Sequence, residues 1–197
     1  MKASLSPPPL LAEDVAERLQ QYAALLARWT RRISLISRGD EGQIWERHVL
    51  DSLRLVPLIP AGTSRGIDLG SGAGLPGLVL AVATGIPFDL VEADRRKAAF
   101  LIEAQRVSGA PVRVHAARIE QLALEPAPLV TARALAPLPV LLGLAAPLLA
   151  EGGVCLFPKG VRAGDELQAA REVWRFEADL AGPPESPVLV VRDLARG

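Results

Sequence analysis

The chain has 197 residues, half of them hydrophobic (50%), and its 22 basic residues balance 22 acidic ones. This length fits one domain with a short additional lobe, and the neutral total excludes an overall field that would draw the protein to nucleic acid or a membrane. Any RNA contact would therefore need a local basic face. The single cysteine, Cys155, excludes a disulfide framework and is predicted to be buried.

The N-terminal part of the chain is predicted to be helical. Residues 1–10 contain Pro7-Pro8-Pro9 and are predicted to be an extended or disordered leader without a secretion signal, so we expect a cytoplasmic location. After this leader, apolar residues recur at alternating steps of four and three, which is typical of one helix face. These residues are Val15, Leu19, Tyr22, Leu26 and Trp29.

Helical spacing resumes over residues 43–55 through Ile44, Val49 and Leu53. We therefore predict a helical lobe over residues 1–60 and a second domain over residues 61–197.

The central feature is a glycine-rich stretch over residues 65–77, with the sequence RGIDLGSGAGLPG. A short apolar run meets Asp68, glycines then alternate with small residues, and Pro76 opens the next apolar stretch. Because glycine tolerates positive φ and close approach of a ligand, this pattern predicts a strand, a tight turn and a helix. Its free backbone N–H groups would face a bound nucleotide or nucleoside.

The glycines alone do not distinguish two cofactors. Residues 72–77 satisfy the dinucleotide pattern G-x-G-x-x-G, and the next predicted strand ends at Glu92, where a carboxylate would bind a ribose. Both NAD and S-adenosylmethionine carry that ribose. Asp68 favours the methyl donor, because a carboxylate before the first glycine suits a methionine ammonium and would repel a pyrophosphate.

The remaining elements alternate between helix and strand. A helix is predicted over residues 75–84, and a further helix is capped by Asp94 and ends at Gly109. The other predicted helices are residues 138–150 and 164–174, and the other strands are residues 112–115, 129–132, 154–157, 173–178 and 187–191. This alternation predicts an α/β fold with a mostly parallel sheet and right-handed crossovers. The two closing strands would form the antiparallel edge typical of class I methyltransferases.

One uncharged stretch, residues 134–150, imitates a membrane span. It contains Pro137, Pro139 and Pro147 and is short for a span, so we predict a buried helix instead. We expect neither a membrane nor DNA as a partner.

Several basic residues could form a local basic face. Arg95, Arg96 and Lys97 begin a predicted helix, where the macrodipole disfavours cations unless an anion compensates. The other candidates are Arg28, Arg31, Arg32, Arg38, Arg47, Lys159 and Arg162. For any one of them, a solvated surface charge remains an equal alternative.

The cluster His48, Asp51 and Ser52 does not indicate a hydrolase, because these residues share one helix and no nucleophile elbow is present. We predict that His48 is a structural or pocket-lining residue. No metal site is predicted, since the sequence has one cysteine and two widely separated histidines.

Taken in order, the motifs resemble a known family. DLGSGAGLPG is followed by VEADRRKAAFL, R-I-E, A-R-A and K-G, and the N-terminal part contains HVLDSL. This series resembles the bacterial guanine-N7 methyltransferases of 16S ribosomal RNA, the glucose-inhibited division protein B family. The sequence departs from the family at Thr30 and at Ser34-Leu35-Ile36, where the family usually has an asparagine and N-L-T.

The resemblance implies a class I, Rossmann-like methyltransferase that binds S-adenosylmethionine, releases S-adenosylhomocysteine and needs no metal. The residues expected to hold the cofactor, on the resemblance and the chemistry together, are Asp68, Gly70, Gly72, Gly74, Leu75, Glu92, Ala93, Asp94, Ile119, Glu120 and Arg133. Arg133 is also the predicted catalytic residue, which would hold guanine O6 or the methionine carboxylate. The residues expected to contact RNA are Arg28, Arg31, Arg32, His48, Arg95, Arg96, Lys97 and Lys159.

The predicted reaction is methylation of a guanine N7 in 16S ribosomal RNA, with the small ribosomal subunit as partner. Ala132-Arg133-Ala134 stands where methylators of exocyclic amines place Asn/Asp-Pro-Pro-Tyr, and no cysteine follows that strand to attack a pyrimidine. The alternatives are a small-molecule or protein methyltransferase, an NAD-dependent oxidoreductase, and a non-catalytic RNA module that binds the cofactor.

Overall fold

The computed structural model describes residues 11–197, so the predicted leader over residues 1–10 lies outside the described part of the chain. The α-helices are α1 (Glu13–Thr30), α2 (Asp51–Leu53), α3 (Gly77–Thr84), α4 (Arg95–Ser108), α5 (Leu138–Ala145) and α6 (Ala163–Arg171). The strands are β1 (Gly66–Leu69), β2 (Phe88–Val91), β3 (Val112–His115), β4 (Ala127–Ala132), β5 (Leu149–Pro158), β6 (Trp174–Ala181) and β7 (Val188–Arg196).

The strands form one seven-stranded sheet in the order β3-β2-β1-β4-β5-β7-β6. Strands β1 to β5 pair in parallel, whereas β7 lies antiparallel to both β5 and β6. The predicted mostly parallel sheet with an antiparallel C-terminal edge is therefore confirmed. The strand order reverses between β1 and β4, and ligands of open α/β sheets bind at the carboxyl ends of strands beside such a point.

The N-terminal helices pack on one face of the sheet. Leu19, Tyr22 and Leu26 of α1 are fully buried in one apolar cluster with Phe100 of α4 and Leu129 of β4. Helices α5 and α6 cover part of the other face through a second cluster. The N-terminal segment thus shares its core with the sheet, which fixes its position relative to the carboxyl edge of the strands.

Helix α4 begins and ends at the two capping residues that were predicted, Asp94 and Gly109. The carboxylate of Asp94 accepts from the backbone N–H groups of Arg96 and Lys97, and Gly109 closes the helix with φ +59°. This arrangement confirms the predicted start and stop, because both depend on local hydrogen bonding and backbone conformation.

Three predicted segments differ in the structure. The helix expected over residues 43–55 is a π-helical stretch, Trp45–Leu50, followed by the short α2. Helix α5 is shorter than predicted, because Pro147 lacks the N–H that would continue it. Strand β5 begins at Leu149, before the predicted start, and Gly152 (φ +68°) accommodates an irregular register against β4.

Among the described helices, none has both the length and the hydropathy of a membrane span.

Candidate functional site

The glycine turn after β1 is organised by Glu92 at the end of β2. Gly70 and Gly72 adopt φ +64° and +54°, which places their backbone in the left-handed region. The N–H of Gly72 donates to Glu92 Oε2 at 2.9 Å, and the N–H of Asp94 donates to Oε1 at 2.7 Å. Each carboxylate oxygen has two lone pairs, so both can still accept from a ligand hydroxyl.

A cavity of about 310 Å³ opens beside this turn. It is lined by Gly70, Gly72, Val91, Glu92, Ala93, Lys97, Ala117, Arg118, Ile119, Glu120, Ala134, Leu135 and Leu144. Six of the residues predicted to hold a cofactor are in this wall, namely Gly70, Gly72, Glu92, Ala93, Ile119 and Glu120. We call this space the cofactor cavity.

Other predicted cofactor contacts lie elsewhere. Leu75 is 3% exposed and belongs to the apolar core, and a Cβ on Gly74 would approach Leu78 and Leu101 at 3.0 and 3.2 Å. The space around both positions is filled by close helix packing, and their contact with the cofactor stays a prediction. Asp94 caps α4 and does not line the cofactor cavity.

Asp68 is fully buried beneath the turn. Its Oδ1 accepts from the hydroxyl of Thr131 at 2.6 Å, whereas Oδ2 has no hydrogen-bond partner among the described residues. Burial raises the pKa of this carboxyl to about 6. An ionised carboxylate with an unpaired oxygen is costly in such surroundings, and a nearby cation would compensate it.

A larger cavity of about 780 Å³ adjoins the cofactor cavity. Its wall is formed by Asp51, Arg133, Ala134, Leu135, Ala136, Pro137, Pro139, Pro158, Lys159, Gly160, Arg162, Asp165, Glu166 and Ala169. Ala134 and Leu135 line both spaces. Ala134 has φ +54°, a strained conformation for a residue with a side chain, and such strain is frequent at functional sites. We call this space the substrate cavity.

Arg133 projects into the substrate cavity from the end of β4, and a polar chain holds it. Its Nη2 lies 3.2 Å from His48 Nδ1, and its Nη1 lies 3.5 Å from Asp51 Oδ2. A guanidinium only donates, so Nδ1 must be the unprotonated nitrogen of His48. The proton is then on Nε2, which lies 3.4 Å from Asp40 Oδ2 without forming a hydrogen bond.

His48 is buried within the π-helical stretch, and Ser52 donates its hydroxyl to the carbonyl of His48 at 2.7 Å. Burial and the neighbouring Arg133 lower the pKa of His48. The His48 side chain thus lies behind Arg133 and is buried, and its contact with RNA stays a prediction.

The predicted RNA-facing cations are divided among four locations. Arg95 and Arg96 are exposed, whereas Lys97 lines the cofactor cavity. Lys159 lies in the substrate cavity and is paired with Glu166. Arg28, Arg31 and Arg32 are exposed at the end of α1 and just beyond it. Lys97 and Lys159 therefore lie in cavity walls, and their contact with RNA stays a prediction.

The N-terminal helix reaches the turn directly. Tyr22 donates its hydroxyl to the carbonyl of Ala73 at 2.7 Å, and burial raises the pKa of this phenol. Over residues 11–197, no group of three or more histidine, cysteine, aspartate or glutamate side chains is arranged to hold a metal ion.

Sequence reasoning missed several residues of these walls. Leu135, Leu144 and Glu166 gave no local signal, because their positions depend on how α5 and α6 pack, and Asp51 was noted in the sequence without being placed in a site. Ala134 could have been suspected only from its place after a strand.

Residues 15–181 match the family model described as GidB, rRNA small subunit methyltransferase G. A protein of Acidiphilium cryptum named ribosomal RNA small subunit methyltransferase G is 57% identical over 173 residues, which cover 86% of this chain and 80% of the relative. One of the same name from Granulibacter bethesdensis is 50% identical and covers 94% of this chain and 89% of its own.

Solved structures of low identity share the fold. The ribosomal protein L11 methylase of Lactobacillus delbrueckii subsp. bulgaricus gives a TM-score of 0.61 at 14% identity, covering 76% of this chain and 78% of that one. The O-methyltransferase TomG of Streptomyces achromogenes, solved in complex with SAM, gives 0.58 at 15%, covering 93% and 92%. These likenesses confirm the predicted class I, Rossmann-like methyltransferase fold.

Proposed function

The chain belongs to the GidB family of rRNA small subunit methyltransferases G, and from this premise we propose that it methylates a guanine N7 in 16S ribosomal RNA. The substrate would be the RNA of the small ribosomal subunit, and the place of action would be the bacterial cytoplasm. The observation that carries the proposal is the pair of adjoining cavities that share Ala134 and Leu135.

The residues of the cofactor cavity fit S-adenosylmethionine. Glu92 would accept from the ribose hydroxyls, Ile119 would cover one face of the adenine, and Glu120 would accept from its amino group. The unpaired oxygen of buried Asp68 would attract the methionine ammonium through the turn. When bound, the cofactor supplies a methyl group on a sulfonium, and its carbon–sulfur bond breaks as the carbon–N7 bond forms.

The substrate cavity fits one nucleobase that has left its stack. Guanine N7 lies on the major-groove edge, which in A-form RNA is too deep and narrow for side chains. The target guanine must therefore be unpaired or turned out of the helix, as in other enzymes that act on bases. A cavity of about 780 Å³ with an apolar wall shared with the cofactor cavity can receive such a base.

Arg133 is the proposed catalytic residue, at the junction of β4 with the substrate cavity. It would donate to guanine O6 or to the methionine carboxylate and so align the reacting atoms. The N7 lone pair carries no proton near neutral pH, so no general base is required, and alignment is the main contribution of the protein. Asp51 and His48 would be positioning residues, because both contact the guanidinium.

We also propose that the N-terminal helical lobe, within residues 1–60, faces the RNA. Arg28, Arg31 and Arg32 are exposed there, and Arg95 and Arg96 are exposed at the start of α4. Trp29 of α1 donates to Glu103 of α4 at 3.0 Å, which holds the two groups of cations on neighbouring helices. Such a local basic face would bind phosphates although the net charge is zero.

Transfer of a tritiated methyl group tests the proposal. Purified small subunits, naked 16S ribosomal RNA, total protein and small molecules would be offered with the labelled donor, and modified RNA would be cleaved chemically at N7-methylguanine. We expect label in ribosomal RNA and strand scission at one guanine. Arg133→Ala is the inactive control, and label in protein or small molecules, with none in RNA, would overturn the proposal.

Binding separates the two cofactor classes. Calorimetry should detect S-adenosylhomocysteine and no NAD. Binding of S-adenosylhomocysteine without any methyl transfer would instead support the non-catalytic RNA module.

A further inference from the structure

An ion pair lies in the wall of the substrate cavity and is not part of the wall shared with the cofactor cavity. Lys159, just beyond β5, donates through Nζ to Glu166 Oε2 at 2.7 Å. The same oxygen accepts from the backbone N–H of Leu138 at 3.0 Å. The Lys159 side chain is only 9% exposed, so this pair is held between the starts of α5 and α6.

The pair retains hydrogen-bonding capacity toward the cavity. Both hydrogen bonds that Glu166 accepts here reach Oε2, which leaves Oε1 to accept from a ligand, and Glu166 is partly exposed in the cavity wall. The ammonium of Lys159 has three N–H groups, of which one is used by Glu166. A donor and an acceptor therefore lie side by side and face the same space.

Guanine and adenine differ at the edge that would meet such a pair. Guanine presents O6, an acceptor, next to N1–H, a donor, whereas adenine presents a donor amino group next to an unprotonated N1. We propose that Lys159 donates to O6 and Glu166 accepts from N1–H, so that this pair selects guanine. The inference rests on the proposed function and extends it to the recognition of the base.

A guanine held by Lys159 and Glu166 would be oriented with N7 free for methylation. In the purine ring, O6 stands between N1 and N7, so a base held at O6 and N1 leaves N7 free on its neighbouring edge. That edge would then be directed to Ala134 and Leu135, the wall shared with the cofactor cavity. Methyl transfer also makes the purine cationic, and the carboxylate of Glu166 would stabilise that developing charge.

The competing explanation is that the ion pair has a purely structural role, because Glu166 also accepts a hydrogen bond from the backbone N–H of Leu138, the first residue of α5. A structural ion pair would stabilise the protein without distinguishing one base from another. Base preference is therefore the discriminating readout, and it is compared between the wild type and variants of the pair, because Arg133 could also donate to O6 in the wild type.

The experiment uses one short structured RNA with guanine, inosine or 2-aminopurine at the modified position. Inosine keeps O6, N1–H and N7, whereas 2-aminopurine keeps N7 but lacks O6 and the N1 proton. Single-turnover methylation and competition binding in the presence of S-adenosylhomocysteine are both recorded. We expect inosine to behave within about threefold of guanine, and 2-aminopurine to be weaker by roughly 10- to 100-fold for each hydrogen bond that it cannot form.

Two variants test whether the preference for guanine depends on Lys159 and Glu166. Glu166→Gln should lower the guanine preference about 10-fold or more, because a glutamine amide can present either a donor or an acceptor. Lys159→Met should do the same by removing the donor to O6. Glu172→Gln, an exposed glutamate immediately after α6, is the matched control and should keep the wild-type preference.

The outcomes separate the two proposals. Equal treatment of guanine and 2-aminopurine by an active wild-type protein would overturn the role of the ion pair and leave the methyltransferase function intact. If the wild type modifies no guanine, the proposed function fails, and the binding preference decides the inference by itself. Variants that unfold are recognised by urea titration, and the variant of the pair that stays folded then decides the inference.

Discussion

The guanidinium of Arg133 donates to Nδ1 of His48 at 3.2 Å, although the two residues are separated by 85 positions in the chain. This contact fixes the tautomer of the buried His48. It also fixes the direction of the Arg133 side chain, which follows β4 and lines the substrate cavity. It joins the π-helical stretch of the N-terminal segment to the carboxyl edge of the sheet. The proposed catalytic group is therefore positioned by an element outside the cofactor-binding core.

The first prediction concerns this pair. Arg133→Ala should lose single-turnover methylation at every pH, whereas His48→Gln should keep most of it, because a glutamine oxygen can still accept from Arg133. His48→Leu, which has no acceptor, should be clearly slower than His48→Gln. A His48→Gln variant as inactive as Arg133→Ala would contradict the positioning role.

A second prediction follows from the titration of His48. Its pKa is lowered by burial and by Arg133, so the ring stays neutral at and above its ordinary pKa of about 6.5. The methylation rate should be flat from about pH 6.5 to 9. It should fall only at lower pH, where a protonated Nδ1 can no longer accept from Arg133. Stability should fall in the same acidic range, because the unfolded chain takes up the histidine proton first. A rate that rises through pH 6.5 to 9 would indicate a general base.

Asp68 provides a third prediction. Burial raises its pKa from 3.8 to about 6, so the folded protein binds this proton more tightly than the unfolded chain. Its contribution to stability is present below about pH 4 and is lost as the pH rises to about 6. Asp68→Asn should remove this loss and stabilise the protein at pH 7 to 8 by about 3 kcal/mol, while weakening S-adenosylhomocysteine binding. Thermal unfolding between pH 4 and 8 measures the difference, with exposed Glu185→Gln as the control; parallel profiles for wild type and Asp68→Asn would contradict it.

The two glycines of the turn give a fourth prediction. Alanine at Gly70 or Gly72 would adopt positive φ, at a cost of about 1–2 kcal/mol. A Cβ at Gly70 would also lie 2.6 Å from Leu135 Cδ1, whereas at Gly72 the nearest atom is 3.7 Å away. Urea unfolding should therefore show a larger loss for Gly70→Ala. Adding Leu135→Ala to Gly70→Ala should recover part of the lost stability, whereas adding it to Gly72→Ala should recover none. If the stability losses of Gly70→Ala and Leu135→Ala simply add, the predicted collision between the new Cβ and Leu135 is refuted.

The fifth prediction concerns the exposed cations of α4. Reversing Arg95 and Arg96 to glutamate should weaken RNA binding and lower the log–log salt slope by about 1 for each phosphate that the protein no longer neutralises. Cofactor binding should be unchanged, because neither residue lines the cofactor cavity. The control is the reversal of Arg171 and Arg175, which are also exposed. If both pairs have equal effects, the Arg95 and Arg96 charges are merely solvated.

Features that depend on neighbouring residues could be predicted from the sequence. The turn after β1 follows from glycines that adopt positive φ, and the start of α4 follows from Asp94, whose carboxylate binds backbone N–H groups two and three residues away. The alternation of strands with helices likewise predicted a mostly parallel sheet, and the carboxylate Glu92 marked the end of β2. These features are local because hydrogen bonds between near neighbours and allowed φ angles determine them.

Only the tertiary structure decided which way individual side chains face. Lys97 lines the cofactor cavity although Arg95 and Arg96, in the same turn of the helix, are exposed. Leu75 belongs to the core, and His48 meets Arg133 across the boundary between the N-terminal segment and the sheet. Such contacts depend on the packing of α1, α2 and α4 against the sheet, and packing is decided by the shape of the whole core rather than by the spacing of residues along the chain.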